Sequence, residues 1–169
     1  IHPLKEAIAV IGSKEGLFHF AQAFLNKGDL ALVPDPAYPV YINSSLIAGA
    51  VTYPLPLLPQ NHFLPDLESL PKEVLEQAKI LWLNYPNNPT GAIASLEFFE
   101  KIIYICHKYE ILVVHDAAYS DVYFNENNPP PSILQVPNAK DVAIELFSLS
   151  KTYNMAGWRI GMAVGNEQA

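Results

Sequence analysis

The stretch from Ser148 to Gly161 reads SLSKTYNMAGWRIG and carries a single lysine among small, hydroxyl and aromatic residues. A lysine that merely solvates a surface usually shares a helix face with other charges. Lys151 instead stands between Ser150 and Thr152, with no acidic residue within several positions. An amine lifted out of water is a nucleophile able to form a Schiff base with an aldehyde. Ser148 precedes Lys151 and Arg159 follows it, and a hydroxyl and a guanidinium flanking one amine suit a phosphate dianion.

Other short stretches add to that chemistry. GSKEG, with Ser13 and Lys14, reads as a turn opening a helix, where free N–H groups and the helix dipole attract an anion; an ordinary glycine turn is the plain alternative. Asp116 ends the apolar run ILVVHD, where a bare carboxylate is costly. It serves either as an N-cap for the next segment or as the partner of a cationic ring nitrogen, making a protonated pyridine an electron sink. Tyr119, just beyond, and Asn88 in NYPNNPTG can each hydrogen-bond a phenolate oxygen. Tyr38 in DPAYP offers a flat ring for an aromatic ligand, or plain packing.

The elements that must position these residues alternate along the chain. Strands are expected at 7–11, 30–34, 50–54, 79–84, 111–116, 142–148 and 159–165, separated by helical patterns such as 17–28 and the run from Ser95, whose serine is a good N-cap. This predicts an α/β fold: a three-layer α/β/α sandwich around a mainly parallel seven-stranded sheet. The runs at 79–84 and 111–116 are almost continuously apolar, as in strands buried on both faces. The proline-rich segments LPLLPQNHFLP and NENNPPPS read as loops. Ligands bind beyond the carboxyl ends of strands in such sheets. Five expected strands end in GSKEG, PDPAYP, NYPNNPTG, HDAAY and SLSK, so the polar and aromatic residues gather at one edge.

Composition narrows the partners. The 169 residues are 50% hydrophobic and 16% charged, with a net charge of -7, which suits one folded domain and argues against a nucleic-acid surface. A phosphate on a small molecule remains compatible. The single cysteine, Cys106, rules out an intrachain disulfide and a thiolate metal cage, and makes a reducing, cytoplasmic setting the default. No run of about eighteen apolar residues is present, so no membrane span is expected.

Taken in order, GSKEG, DPAYP, NYPNNPTG, HDAAY and SLSKTYNMAGWRIG resemble the fold-type I, pyridoxal-phosphate-dependent aminotransferases of class I/II, and the resemblance extends over essentially the whole chain. Within that family the wording SKTYNMAGWRIGMAVGN is similar to the LL-diaminopimelate group. The resemblance implies transfer of an amino group between an amino acid and a 2-oxo acid. Lys151 would bond the cofactor aldehyde and shuttle the proton; Ser13, Lys14, Ser148 and Arg159 would hold the phosphate, the first two through backbone N–H. Asp116 would pair with the pyridine nitrogen, Asn88 and Tyr119 would touch the phenolic oxygen, and Tyr38 would stack on the ring.

Members of the family are more than twice this length and work as homodimers. The chain therefore reads as the pyridoxal-phosphate-binding large domain, residues 1–169, without the N-terminal arm, the small domain or the arginine that grips the substrate carboxylate. Alone it is expected to catalyse poorly or not at all, and to expose apolar surface unless a partner hides it. Rival readings are another fold-type I reaction, such as elimination or decarboxylation, and a binding module without turnover. A Tyr104–Lys108 pair is a chance spacing on one helix face, with no G-x-G-x-x-G after the first strand to support a dehydrogenase. His115 and Asp116 are adjacent on a strand and face opposite ways, which disfavours a metal site with His107.

Overall fold

Strands β4 (Ala78–Asn84) and β5 (Leu112–Asp116) carry apolar side chains on both faces, so both faces must be covered. The computed structural model, which describes residues 1–169, covers them with helices on each side. The remaining strands are β1 (Ala7–Val10), β2 (Leu30–Asp35), β3 (Val51–Pro56), β6 (Ala143–Ser148) and β7 (Gly161–Gly165). Their order is β1-β7-β6-β5-β4-β2-β3. Pairings between β2, β3, β4, β5 and β6 are all parallel, whereas β7 runs antiparallel to both β6 and β1. The three-layer, mainly parallel α/β architecture expected from the sequence is the one observed, with strand ends displaced by a residue or two.

Helices α1 (Ser13–Phe24) and α2 (Val40–Ile47) pack on one face, where Leu17, Phe20, Tyr41, Trp82, Val114 and Leu146 form a buried cluster. Helix α4 (Leu96–Tyr109) covers the other, where Phe99, Ile102, Cys106, Leu81, Val113 and Ile133 meet. Alternation along each strand sends Trp82 and Val114 to the first face and Leu81 and Val113 to the second, so Asp116 lies on the α1/α2 side and His115 on the α4 side. Ser95 caps α4 by accepting the Phe98 N–H at 3.2 Å. Helix α1 starts earlier and stops earlier than its pattern suggests, because Leu25 turns extended to bury its side chain. Two short helices, α3 (Lys72–Gln77) and α5 (Leu149–Thr152), complete the set. No helix is long and apolar enough to cross a membrane.

Six strands point the same way, so their carboxyl ends share one edge. The reversed β7 brings its amino end to that same edge, with Ser148 opposite Gly161 in the β6–β7 register. Segments before β7 therefore face segments after β1 and β6.

Candidate active site

At this edge lies an open cavity of about 640 Å³. Every residue singled out from the sequence lines it: Ser13, Lys14, Tyr38, Asn88, Asp116, Tyr119, Ser148, Lys151 and Arg159. They come from the carboxyl ends of five strands and the amino end of β7, which only the sheet brings together.

Helix α1 opens at Gly12, whose φ of 76° a side chain rarely adopts, and no side chain caps the first N–H groups. The Arg159 guanidinium lies against this turn: a Cβ on Gly12 would stand 2.3 Å from Arg159 Nη2. Gly161 permits the same closeness from below, since its Cβ would meet Phe147 O at 2.5 Å and Ser13 N at 3.0 Å. Arg159 is not the first residue of β7, as the sequence pattern suggested; it sits in the preceding turn at φ 54°, donating to Ala156 O at 3.1 Å. Ser148 Oγ accepts the Ser150 N–H at 3.2 Å, which leaves its own hydrogen free to donate.

Lys151 projects from the short α5, its Nζ 5.7 Å from the Tyr119 ring centroid, and Lys14 Nζ stands 5.3 Å from that of Tyr38. Neither lysine nor Arg159 belongs to any of the molecule's ion pairs. A chain of net charge -7 thus presents three unneutralised cations around one cavity whose only carboxylate is Asp116. The site is built for an anion.

Asp116 is buried, and one of its oxygens is not satisfied. Oδ2 accepts the Tyr41 hydroxyl at 2.9 Å, while Oδ1 has no hydrogen-bond partner. Burial pushes the carboxyl above its ordinary range, against the Tyr41 hydrogen bond and the charge of nearby His115. Asn84 Nδ2 donates to the Asp116 carbonyl at 2.8 Å, and Asn84 Oδ1 accepts the Asn88 N–H at 2.7 Å, so the ends of β4 and β5 are tied together beneath the cavity.

Sequence reasoning missed Tyr41 and Asn84. Asn84 had a signal, because a polar residue closes β4 as Asp116 closes β5. Tyr41 had none, since it lies on a helix whose pattern is not amphipathic. No group of three or more His, Cys, Asp or Glu side chains is arranged to hold a metal ion.

The family model for class I and II aminotransferases matches residues 3–169. The chain belongs to that family. LL-diaminopimelate aminotransferase of Aquifex aeolicus is 56% identical over 168 residues, which are 99% of this chain and 43% of that protein. The enzyme of the same name from Gloeobacter violaceus is 57% identical over 165 residues, 98% of this chain and 42% of its own. The substrate-bound structure of BacF from Bacillus subtilis superposes with a TM-score of 0.95 at 46% identity, covering 99% of this chain and 42% of that one. The chain spans somewhat under half the length of the relatives it matches. For this aminotransferase chain, the family's phosphorylated pyridine aldehyde can be tested against the residues present. An orphaned buried carboxylate oxygen suits a ring N–H, an uncapped helix start beside Arg159 suits a phosphate, and a primary amine tied up in no ion pair, that of Lys151, suits an aldehyde. The residues fit the group.

Proposed function

We propose that this chain is the cofactor-binding part of a pyridoxal-phosphate-dependent aminotransferase, moving an amino group between an amino acid and a 2-oxo acid. The observation that carries the reading is the unsatisfied Asp116 Oδ1 in the wall of the cavity that Lys151 also lines. Bound there, the cofactor would supply an electron sink for the charge left when a substrate's α-proton departs.

The chain's own residues do the rest. Ser13 and Lys14 N–H, Ser148 Oγ and the Arg159 guanidinium would hold the phosphate. Asp116 would accept the ring N–H, Asn88 and Tyr119 would hydrogen-bond the phenolic oxygen, and Tyr38 would pack on the ring. Lys151 Nζ would stand at the aldehyde as its nucleophile and would take and return the substrate's α-proton. LL-diaminopimelate is the proposed amino-acid partner of the reaction, in either direction, supported by the names of the Aquifex and Gloeobacter relatives. The intact protein is proposed to act as a homodimer, on the family resemblance. A cytoplasmic setting is supported by one buried, unpaired cysteine. This chain by itself is proposed to turn over slowly at most, on the ground that it spans 43% of the Aquifex relative and 42% of the Gloeobacter one.

The test uses full-length protein loaded with pyridoxal phosphate, reduced with borohydride and digested. The modified peptide is expected to carry the label on Lys151, and labelling elsewhere or nowhere overturns the reading. A screen of amino donors, LL-diaminopimelate among them, against 2-oxo acids then separates transamination from elimination and decarboxylation.

A further inference from the structure

Tyr41 is the one side chain that hydrogen-bonds the Asp116 carboxylate, and none of the proposed cofactor contacts uses it. We propose that Tyr41 is the positioning residue for the cofactor's ring nitrogen: its hydroxyl occupies Asp116 Oδ2, so that the charged carboxylate presents Oδ1 alone to the ligand. This rests on the pyridoxal-phosphate reading of the cavity.

The phenol is itself held from three sides. Its ring is fully buried and stacks on Trp82, with centroids 5.6 Å apart and planes 21° from parallel. The Trp82 indole N–H donates to Ser45 Oγ at 3.1 Å, and Ser45 Oγ donates to the Tyr41 carbonyl at 2.8 Å, closing a loop from side chain to backbone. The Tyr38 ring meets Tyr41 edge-on, with centroids 6.1 Å apart. A phenol so confined has one place to send its hydroxyl. Asn84 Nδ2 holds the Asp116 backbone carbonyl at 2.8 Å, which fixes the main chain from which the carboxylate projects.

The consequence is electrostatic as well as geometric. A buried carboxylate keeps its charge only where donors compensate the lost water. Without a ligand Tyr41 is the only side chain donating to it, and a ring N–H would be the second. Deleting the hydroxyl removes that side-chain donor, favours the neutral acid, and weakens acceptance of a protonated ring nitrogen while leaving the phosphate and aldehyde contacts untouched.

The experiment compares full-length wild type with Tyr41→Phe, which keeps the stacked ring. Dissociation constants are measured by absorbance for pyridoxal phosphate and for its 1-deaza analogue, in which the ring nitrogen is a C–H. Loss of one hydrogen bond to a charged group predicts about tenfold weaker binding of pyridoxal phosphate and unchanged binding of the analogue. In an Asp116→Asn background the Tyr41→Phe effect on pyridoxal phosphate should vanish. Equal binding of pyridoxal phosphate by wild type and Tyr41→Phe, or equal weakening of both ligands, overturns this inference alone. A wild type that takes up neither ligand overturns the proposed function and this inference with it.

Discussion

His115 and Asp116 are neighbours on β5, both buried, and they face opposite sides of one sheet. On the α4 side His115 shares its Nδ1 with Glu145 Oε2 at 2.9 Å, and its Nε2 lies 3.1 Å from the Tyr85 carbonyl oxygen. Glu145 also accepts the Ser132 hydroxyl at 2.8 Å and the Ile133 N–H at 2.9 Å, so both its oxygens are occupied. On the α1/α2 side Asp116 has one oxygen satisfied and one bare. Two adjacent polar residues thus have opposite fates. Folding completes the first network from within the chain; it leaves the second open, and an open buried acceptor is tolerated where a ligand supplies the missing donor. The first is architecture and the second is the proposed binding site.

Substitutions on the two sides should separate stability from function. The largest effect is expected from Lys151→Ala on the open side: turnover of the intact protein falls by about four orders of magnitude or to the assay floor. Its unfolding free energy should move by no more than about 0.5 kcal/mol, since the side chain is exposed. Near-normal transamination by that variant removes the lysine from the chemistry.

Glu145→Ala on the closed side should do the reverse. Removing it strands His115, the Ser132 hydroxyl and the Ile133 N–H together, and a loss of about 3–5 kcal/mol is expected in denaturant titrations of the cofactor-free protein. A cost below about 1 kcal/mol would mean that water or a rearranged loop takes over those partners.

Asp116→Asn sharpens the contrast, because cofactor affinity should fall while the free protein gains up to about 1 kcal/mol at neutral pH. The sign follows from burial, which raises the native carboxyl above its unfolded value. The native state then holds its proton to higher pH than the unfolded chain does. Wild-type stability therefore declines as pH rises from about 4 to the raised native value, and levels off above it. Denaturant midpoints measured across that window should show this slope in wild type and not in Asp116→Asn; parallel curves would refute the assignment of the penalty to Asp116.

Gly12→Ala is expected to have the smallest effect on cofactor chemistry, while costing about 1–2 kcal/mol of stability through the left-handed backbone. It should also displace Arg159, and calorimetry with inorganic phosphate should detect severalfold weaker binding. Unchanged phosphate affinity would show that the Gly12 turn and Arg159 do not act together.

The strands were legible because apolar runs and turn residues are local signals, and the polar residues at their ends could be read from the same short stretches. Helix α4 was legible for the same reason, through its serine cap and apolar stripe. Helix α2 was not. Its inward residues include Ser44 and Ser45, fully buried, while Ile42, Leu46 and Ile47 are 41%, 52% and 65% exposed, the inverse of the pattern that marks a surface helix. Tyr41 is hidden by that inversion. Glu145 reads as a charge interrupting an apolar strand until its partners on β5 and the Ser132–Ile133 turn come into view.

From the sequence by itself came the strands, helix α4 and the chemistry collected at one edge of the sheet, since these depend on residues close together in the chain. The tertiary structure decided the reversed direction of β7, which brings Arg159 to the Gly12 turn. It also decided which buried polar groups find partners. Tyr41 and Asp116 are 75 residues apart, and His115 and Glu145 are 30 apart. Strand order and helix packing set those distances, and no local pattern encodes them.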